Sequence, residues 1–203
     1  MDETISILMP VYNRQMFVSS AVYSILNQTY KNIKLVIYDD GSTDNTVSII
    51  EQIKDSRISI FKGDKNKGVA YARNKLLEFC DTKYAAWQDS DDLSNKHRIE
   101  MQCKLAFEEP KLIYCGFDKL SKTTNINETP RKNNNSCANA SILFPVDKTI
   151  LFDETKKVGE DDDWKTRMKS KYLEIGTGFI LYYIRYHNQR LTSTYKRLKY
   201  VVG

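Results

Sequence analysis

Short apolar runs alternate with helical patterns four times in the first 117 residues of this chain, and this alternation limits the folds open to it. The expected strands are 5–10, 34–40, 57–63, 84–87 and 112–117, and the expected helices are 17–30, 45–53, 68–79 and 95–107. Such alternation implies βαβ units, in which parallel strands are joined by helices. We therefore expect an α/β fold with a mostly parallel central sheet flanked by helices.

The second half of the chain is less regular. Residues 121–141 are polar and include six asparagines, which is typical of a loop. A strand at 141–145, a helix from about Glu160 and a strand at 180–187 are expected after it. No repeat or Gly/Ser linker interrupts the chain, so one domain is expected over 1–203, with the main sheet in 1–117 and a smaller C-terminal part in 118–203. Ser94 is predicted to cap the helix at 95–107.

Net charge, cysteine spacing and the apolar segments of the sequence set limits on partners, metal sites and location. The net charge of +5 comes partly from basic residues at 165–171 and 195–199, which fit either a solvated surface or an anionic partner. The cysteines have no CxxC spacing, which argues against a zinc site. The N-terminus lacks a signal-peptide pattern, and the apolar run at 179–184 is too short to span a bilayer. A cytoplasmic protein without a transmembrane segment is expected.

Polar residues follow three of the predicted strands at the point where each strand ends. They lie at 10–13, 39–40 and 89–92. Ligands of open parallel sheets bind at the carboxyl ends of the strands. We therefore expect these three segments to converge on one ligand site. Asp39 in such a site would accept a hydrogen bond from a ligand such as a nucleobase, although "DDGSTD" (39–44) also fits an ordinary turn before a helix.

Three carboxylates occupy four positions in "QDSDDL" (88–93). Asp89 and Asp91, one residue apart at a strand end, can jointly hold a hard cation such as Mg²⁺ or Mn²⁺. Asp92 is the third. The alternative is a turn whose aspartates cap the next helix, since Asp is common at caps.

A second acidic run, Glu160–Asp163, begins a predicted helix. The helix dipole favours negative charge at this end, which accounts for one or two acids but not four. Close like charges raise one another's pKa, so one of these carboxylates is a candidate general base. His187 is either a packed or solvated residue or, near an acidic cluster, a metal ligand.

The chain has no GxGxxG, no P-loop and no GxSxG. Their absence argues against dinucleotide-dependent dehydrogenases, P-loop kinases and serine hydrolases.

The motifs taken together resemble the family 2 inverting glycosyltransferases of the GT-A fold. The resemblance runs from about Ile5 to His187. It is carried by "ISILMPVYNR" (5–14), "SILNQTYKNIKLVIYDDGSTDNT" (24–46), "NKGVAYARN" (66–74), "QDSDDL" (88–93) and "VGEDDDWKTRM" (158–168). It implies a hexosyltransferase that moves a sugar from a nucleotide diphosphate sugar, typically a UDP-sugar, with the donor held by 1–117. The acceptor would be a saccharide, a lipid-linked molecule or a protein, bound with the catalytic base by 118–203.

The resemblance also implies roles for the donor side. Pro10, Val11 and Tyr12 would form the loop that receives the nucleoside, with Asn13 shaping it. Asp39 would bind the base. Arg73 would lie near the base or the diphosphate.

The same resemblance assigns the metal and the base. Asp91 would bind Mn²⁺ or Mg²⁺ directly, Asp89 would reach the ribose or the waters of the metal, and His187 would contact the metal or the diphosphate. Asp92 would support this group and cap the next helix. Asp161 would deprotonate the acceptor hydroxyl, and Glu160 would orient Asp161 or contact the acceptor.

The chain departs from the family pattern at two positions. Gln88 stands where an apolar residue is usual, and Asp162 stands where an aromatic or apolar residue is frequent, so the base could shift by one or two positions. A non-catalytic nucleotide-sugar-binding module is one alternative. A nucleotidyltransferase is another, but the segment after the first strand has no glycine-rich loop. No aromatic–basic motif favours nucleic acid.

Overall fold

The computed structural model describes residues 3–106, 109–121, 124–132 and 139–188. Within these residues the helices are α1 (Val18–Leu26), α2 (Thr46–Gln52), α3 (Val69–Phe79), α4 (Arg98–Ala106) and α5 (Glu160–Lys169). The strands are β1 (Ile5–Val11), β2 (Ile33–Asp39), β3 (Ile58–Lys62), β4 (Tyr84–Trp87), β5 (Leu93–Ser94), β6 (Lys111–Lys119), β7 (Leu143–Pro145) and β8 (Leu173–Ile184). A 3-10 turn covers Asn139–Ser141.

The described strands form one sheet in the order β3-β2-β1-β4-β7-β6-β8-β5. The first four strands in this order are mutually parallel, and β6 and β8 are parallel to each other. Strands β5 and β7 run antiparallel to their neighbours. The sheet is therefore mostly parallel, as the alternating sequence pattern predicts.

Alternate residues of β1 point to opposite faces and fill two separate cores. Ile7 and Met9 pack with Val22 and Ile25 of α1 on one face. Leu8, on the other face, belongs to the cluster of α3 and α5. Because β1 is covered on both faces, its residues read as a continuous apolar run.

Three local expectations are wrong. Strand β8 begins at Leu173 rather than at residue 180, because glutamate and glycines break its apolar pattern. Neither Ser94 nor Asp92 caps α4. The turn just before α4 is instead stabilised by Asn95, whose Oδ1 accepts a hydrogen bond from His97 N at 2.9 Å. Ser94 Oγ instead donates to Gln88, and Asp92 accepts a hydrogen bond from the backbone of Arg185.

Part of the polar segment 121–141 packs against the start of α4. Lys96 N donates to Ile126 O at 3.2 Å, and Asn95 Nδ2 donates to Glu128 O at 3.1 Å. The basic residues at 195–199 and Cys137 lie outside the described residues. Within the described ranges, no helix combines the length and the apolar composition needed to cross a bilayer.

Candidate active site

The turn after β1 is tied to the turn after β2. Asn13 has a φ of 51°, in the left-handed region that asparagine tolerates better than most residues. Its Oδ1 accepts a hydrogen bond from Thr43 N at 2.8 Å, and its backbone N donates to Ser42 Oγ at 2.9 Å. Pro10, Val11 and Tyr12 lead into this turn, so the segment expected to receive a nucleoside has a fixed shape.

Asp39, the last residue of β2, has one satisfied and one unsatisfied carboxylate oxygen. Its Oδ2 accepts a hydrogen bond from Ser42 N at 2.9 Å. Its Oδ1 is buried and has no hydrogen-bond partner among the described residues. A buried acceptor without a donor costs about 1–3 kcal/mol. A ligand that brings an N–H or O–H group to Oδ1 would remove this cost.

The neighbouring Asp40 has a structural role instead. Its carboxylate accepts hydrogen bonds from Lys67 N and Gly68 N, the latter at 2.7 Å, and so closes the turn before α3. Burial raises the pKa of Asp40, and these backbone hydrogen bonds oppose the rise. Gly68 has a φ of 101°, which a residue with a side chain rarely adopts.

Residues 89–92, here termed the metal loop, follow β4. The carboxylates of Asp89, Asp91 and Asp92 have oxygens within 4.8 Å of one another. Asp91 Oδ2 lies 3.1 Å from Arg14 Nε and 3.0 Å from His187 Nε2. The sequence-predicted His187 is therefore brought to the predicted metal ligand across 96 positions of sequence.

The donor set of the metal loop fits a hard divalent cation. Mg²⁺ and Mn²⁺ prefer carboxylate oxygens, and three of them converge here, with an imidazole adjacent. The side chain of Asp91 is 12% exposed, and a cation bound there would compete with Arg14 for its carboxylate.

Arg73 on α3 links the metal loop to the acidic helix. Its Nη1 donates to Glu160 Oε1 at 3.0 Å, and its Nη2 lies 3.8 Å from Asp89 Oδ1. Glu160 is 6% exposed, and burial raises its pKa while the charge of Arg73 lowers it. Arg73 thus holds the first residue of α5 against the carboxyl end of β4.

The four acids at the start of α5 have different surroundings. Asp163 forms ion pairs with Lys156 and Arg167, which lower its pKa. Asp162 is exposed. Asp161 lines a small cavity of about 10 Å³ shared with Arg73. Of the four, Asp161 is the acid that lines this cavity, and its role as the general base stays a prediction.

Three contacts of the metal loop involve residues to which sequence reasoning gave no role. Arg14 bonds Asp91, Tyr182 Oη accepts a hydrogen bond from Asp89 N at 3.1 Å, and Arg185 N donates to Asp92 Oδ1 at 2.8 Å. Tyr182 and Arg185 are 93 residues away from their partners. Only Arg14 stands within a recognisable motif, "PVYNR".

The solved structures that resemble this chain show its fold. Staphylococcus aureus TarS, solved with UDP-GlcNAc, superposes with a TM-score of 0.78 at 19% identity, over 94% of this chain and 61% of TarS. The mannosyltransferase PcManGT of Pyrobaculum calidifontis, solved with GDP-Man and Mn²⁺, gives a TM-score of 0.73 at 16% identity, over 98% of this chain and 61% of its own. The fold is that of the GT-A glycosyltransferases.

Sequence comparison gives the family. The profile of glycosyl transferase family 2 matches residues 6–159, and the chain belongs to that family and is a glycosyltransferase. The Escherichia coli UDP-Glc:alpha-D-GlcNAc-diphosphoundecaprenol beta-1,3-glucosyltransferase WfgD is 28% identical over 98% of this chain and 83% of its own length. A second E. coli enzyme, named for the same activity, is WfaP. It is 48% identical over a region that covers 57% of this chain and 45% of WfaP.

Proposed function

We propose that this glycosyltransferase moves a sugar from a UDP-sugar to a hydroxyl group of a saccharide acceptor, with a divalent cation and with inversion at the anomeric carbon. One observation carries the proposal. Arg73 contacts both Asp89 of the metal loop and Glu160, next to Asp161, and so brings a cation site and a base candidate into one place.

The donor assignment is supported by Asp39. Uracil carries an N3–H group, and the buried Oδ1 of Asp39 is an acceptor that needs such a donor. WfgD and WfaP are named for UDP-Glc, and TarS binds UDP-GlcNAc, which also favours uridine nucleotides. The acceptor named for WfgD is a diphosphoundecaprenol-linked GlcNAc, so we propose a lipid-linked saccharide for this chain too.

The chemistry follows from the two acidic groups. Asp91, with Asp89 and His187 beside it, would hold Mn²⁺ or Mg²⁺, and the cation when bound would offset the charge of the diphosphate. Asp161 would take the proton of the acceptor hydroxyl as its oxygen bonds to the anomeric carbon. The carbon–oxygen bond to the diphosphate breaks on the opposite face, so UDP departs and the anomeric configuration inverts. General-base assistance contributes about 10²–10⁴-fold to the rate.

Thermal unfolding with a panel of nucleotide sugars tests the proposal. UDP-glucose and UDP-GlcNAc with Mn²⁺ should raise Tm by several degrees, because ligands that bind only the folded state stabilise it. GDP-mannose, or a UDP-sugar without Mn²⁺, should raise Tm much less. Equal shifts with and without Mn²⁺ would contradict the metal requirement, and a larger shift with GDP-mannose would contradict the choice of uridine.

A further inference from the structure

Gln88, the residue before the metal loop, is fully buried and is bonded to both ends of that loop. Its Nε2 donates to Asp89 O at 3.0 Å and to Asp92 O at 3.1 Å. Asp89 and Asp92 are the first and last residues of the metal loop. One side-chain amide therefore fixes the loop at its two ends.

The other end of the Gln88 amide is bonded to Arg98, a cation with 0% exposure. Arg98 Nη1 donates to Gln88 Oε1 at 3.0 Å, and Ser94 Oγ donates to the same oxygen at 2.7 Å. The guanidinium also donates to Trp87 O at 2.7 Å and to Gln102 Oε1 at 3.2 Å. Arg98 thus lies beneath the metal loop and bonds to neutral oxygens around it.

The partners of Gln88 fix the orientation of its amide. A guanidinium can only donate hydrogen bonds and a backbone carbonyl can only accept them, so Oε1 must face Arg98 and Nε2 must face the loop. Reversing the amide would set N–H groups against Arg98 and an oxygen against two carbonyls. Hydrogen bonds in such a chain also polarise one another, which strengthens the two that hold the loop.

We propose that Gln88 is a positioning residue that holds the metal loop in the shape required to bind its divalent cation, with Arg98 as its anchor. The inference rests on the proposed function, because it concerns the same cation. Three carboxylates with oxygens within 4.8 Å repel one another, and this repulsion favours spreading of the loop. The two hydrogen bonds from Gln88 oppose that spreading before a cation arrives. Groups that orient metal ligands in this way typically contribute about 10–100-fold to metal affinity.

Gln102 provides a matched control on the same guanidinium. It is also fully buried and accepts a hydrogen bond from Arg98. Its Nε2 donates to Ile113 O and to Ser141 O, both at 2.7 Å, and neither carbonyl belongs to the metal loop. Gln88→Glu and Gln102→Glu therefore make the same chemical change. Each places a carboxylate on Arg98 and replaces two N–H donors with an oxygen.

Calorimetric titration of the 203-residue chain with MnCl₂ at saturating UDP compares the two variants. We expect Gln88→Glu to weaken Mn²⁺ binding by about tenfold or more, and Gln102→Glu to change it by about twofold or less. UDP binding without metal should match the wild type in both. An unchanged Mn²⁺ affinity in Gln88→Glu, or an equal loss in both variants, would overturn the proposal. A wild-type chain that binds UDP equally with and without Mn²⁺ would instead refute the proposed function and this role together.

If Gln88→Glu fails to fold, Ser94→Ala tests the role of Gln88 in Mn²⁺ binding instead. It removes the hydroxyl that donates to Gln88 Oε1 and leaves Gln88 in place. With one of its orienting hydrogen bonds lost, Gln88 should hold the loop less firmly, and we expect Mn²⁺ binding to weaken by about threefold. Mn²⁺ affinity equal to that of the wild type would contradict the role of Gln88.

Discussion

Arg73 and Glu160 form a buried ion pair, with Nη1 and Oε1 3.0 Å apart and with side chains 10% and 8% exposed. The pair joins α3 to the first residue of α5, across 87 positions of sequence. It sets the position of Asp161, the next residue along the helix. This charge pair is one of several contacts that join residues 1–117 to residues 118–203.

Arg73→Gln should destabilise the fold by about 3 kcal/mol, because Glu160 would remain buried without its cation. The double variant Arg73→Gln/Glu160→Gln should recover part of that loss, since it leaves no buried charge. Urea unfolding of the wild type, both single variants and the double variant measures the coupling. Additive losses would show that the two side chains do not stabilise each other.

Asp161→Asn should reduce the turnover of transfer by about 10²–10⁴-fold, because an amide cannot accept the acceptor proton. UDP affinity should stay within about twofold of the wild type, since Asp161 is not placed to bind the nucleoside. Asp162→Asn is the control, because this neighbour is exposed and belongs to the same acidic run. If Asp162→Asn loses transfer and Asp161→Asn keeps it, the base is Asp162.

Asp39→Asn should change which base the site prefers. Ser42 N already donates to one oxygen of Asp39, so the Asn amide would keep its oxygen there and turn its NH₂ toward the ligand. An NH₂ group matches N3 of cytosine, which is an acceptor, and opposes N3–H of uracil. The ratio of UDP to CDP affinity should fall by about 10–100-fold. An unaltered ratio in competitive titration would remove Asp39 from base recognition.

Asp147→Asn should lower stability in a pH-dependent manner. Asp147 accepts hydrogen bonds from Thr149 and Lys171, and the hydrogen bond from Lys171 is the main cause that holds its pKa well below the ordinary value of 3.8. Because the pKa of Asp147 is lower in the folded state than in the unfolded state, its carboxylate stabilises the fold fully at pH values above the unfolded-state pKa. This stabilisation is lost as the pH falls toward the folded-state pKa. The variant should be about 1 kcal/mol less stable at pH 7. The difference from the wild type should shrink below about pH 4, and a gap that is constant from pH 7 to pH 3 would contradict this account.

The sheet and the site edge could be predicted because they depend on local patterns. Continuous apolar runs mark strands that are buried on both faces, and polar residues after them mark the carboxyl ends of the strands. The first half of β8 has no apolar pattern in the sequence, because it contains Glu174, Gly176 and Gly178. Strand β5 is only two residues long, which is too short to show a pattern.

Contacts between distant segments could not be predicted in the same way. Tyr182 and Arg185 reach the metal loop only because β8 lies beside β5, and no spacing in the sequence encodes that pairing. Gln88 departs from the family pattern in sequence, and its bonds to the loop carbonyls and to Arg98 depend on how the backbone folds around it. The sequence predicts Asp92 and Ser94 as caps wrongly, because aspartate and serine are equally suited to other hydrogen bonds.

The most direct measurement of the central claim is the affinity of Asp91→Asn for UDP, with and without Mn²⁺. Asp81→Asn is the control, since Asp81 pairs with Lys34 at the surface. We expect Mn²⁺ to tighten UDP binding to the wild type and to Asp81→Asn by at least about tenfold, and to leave binding to Asp91→Asn nearly unchanged. Equal enhancement by Mn²⁺ in all three proteins would contradict the assignment of the metal to Asp91.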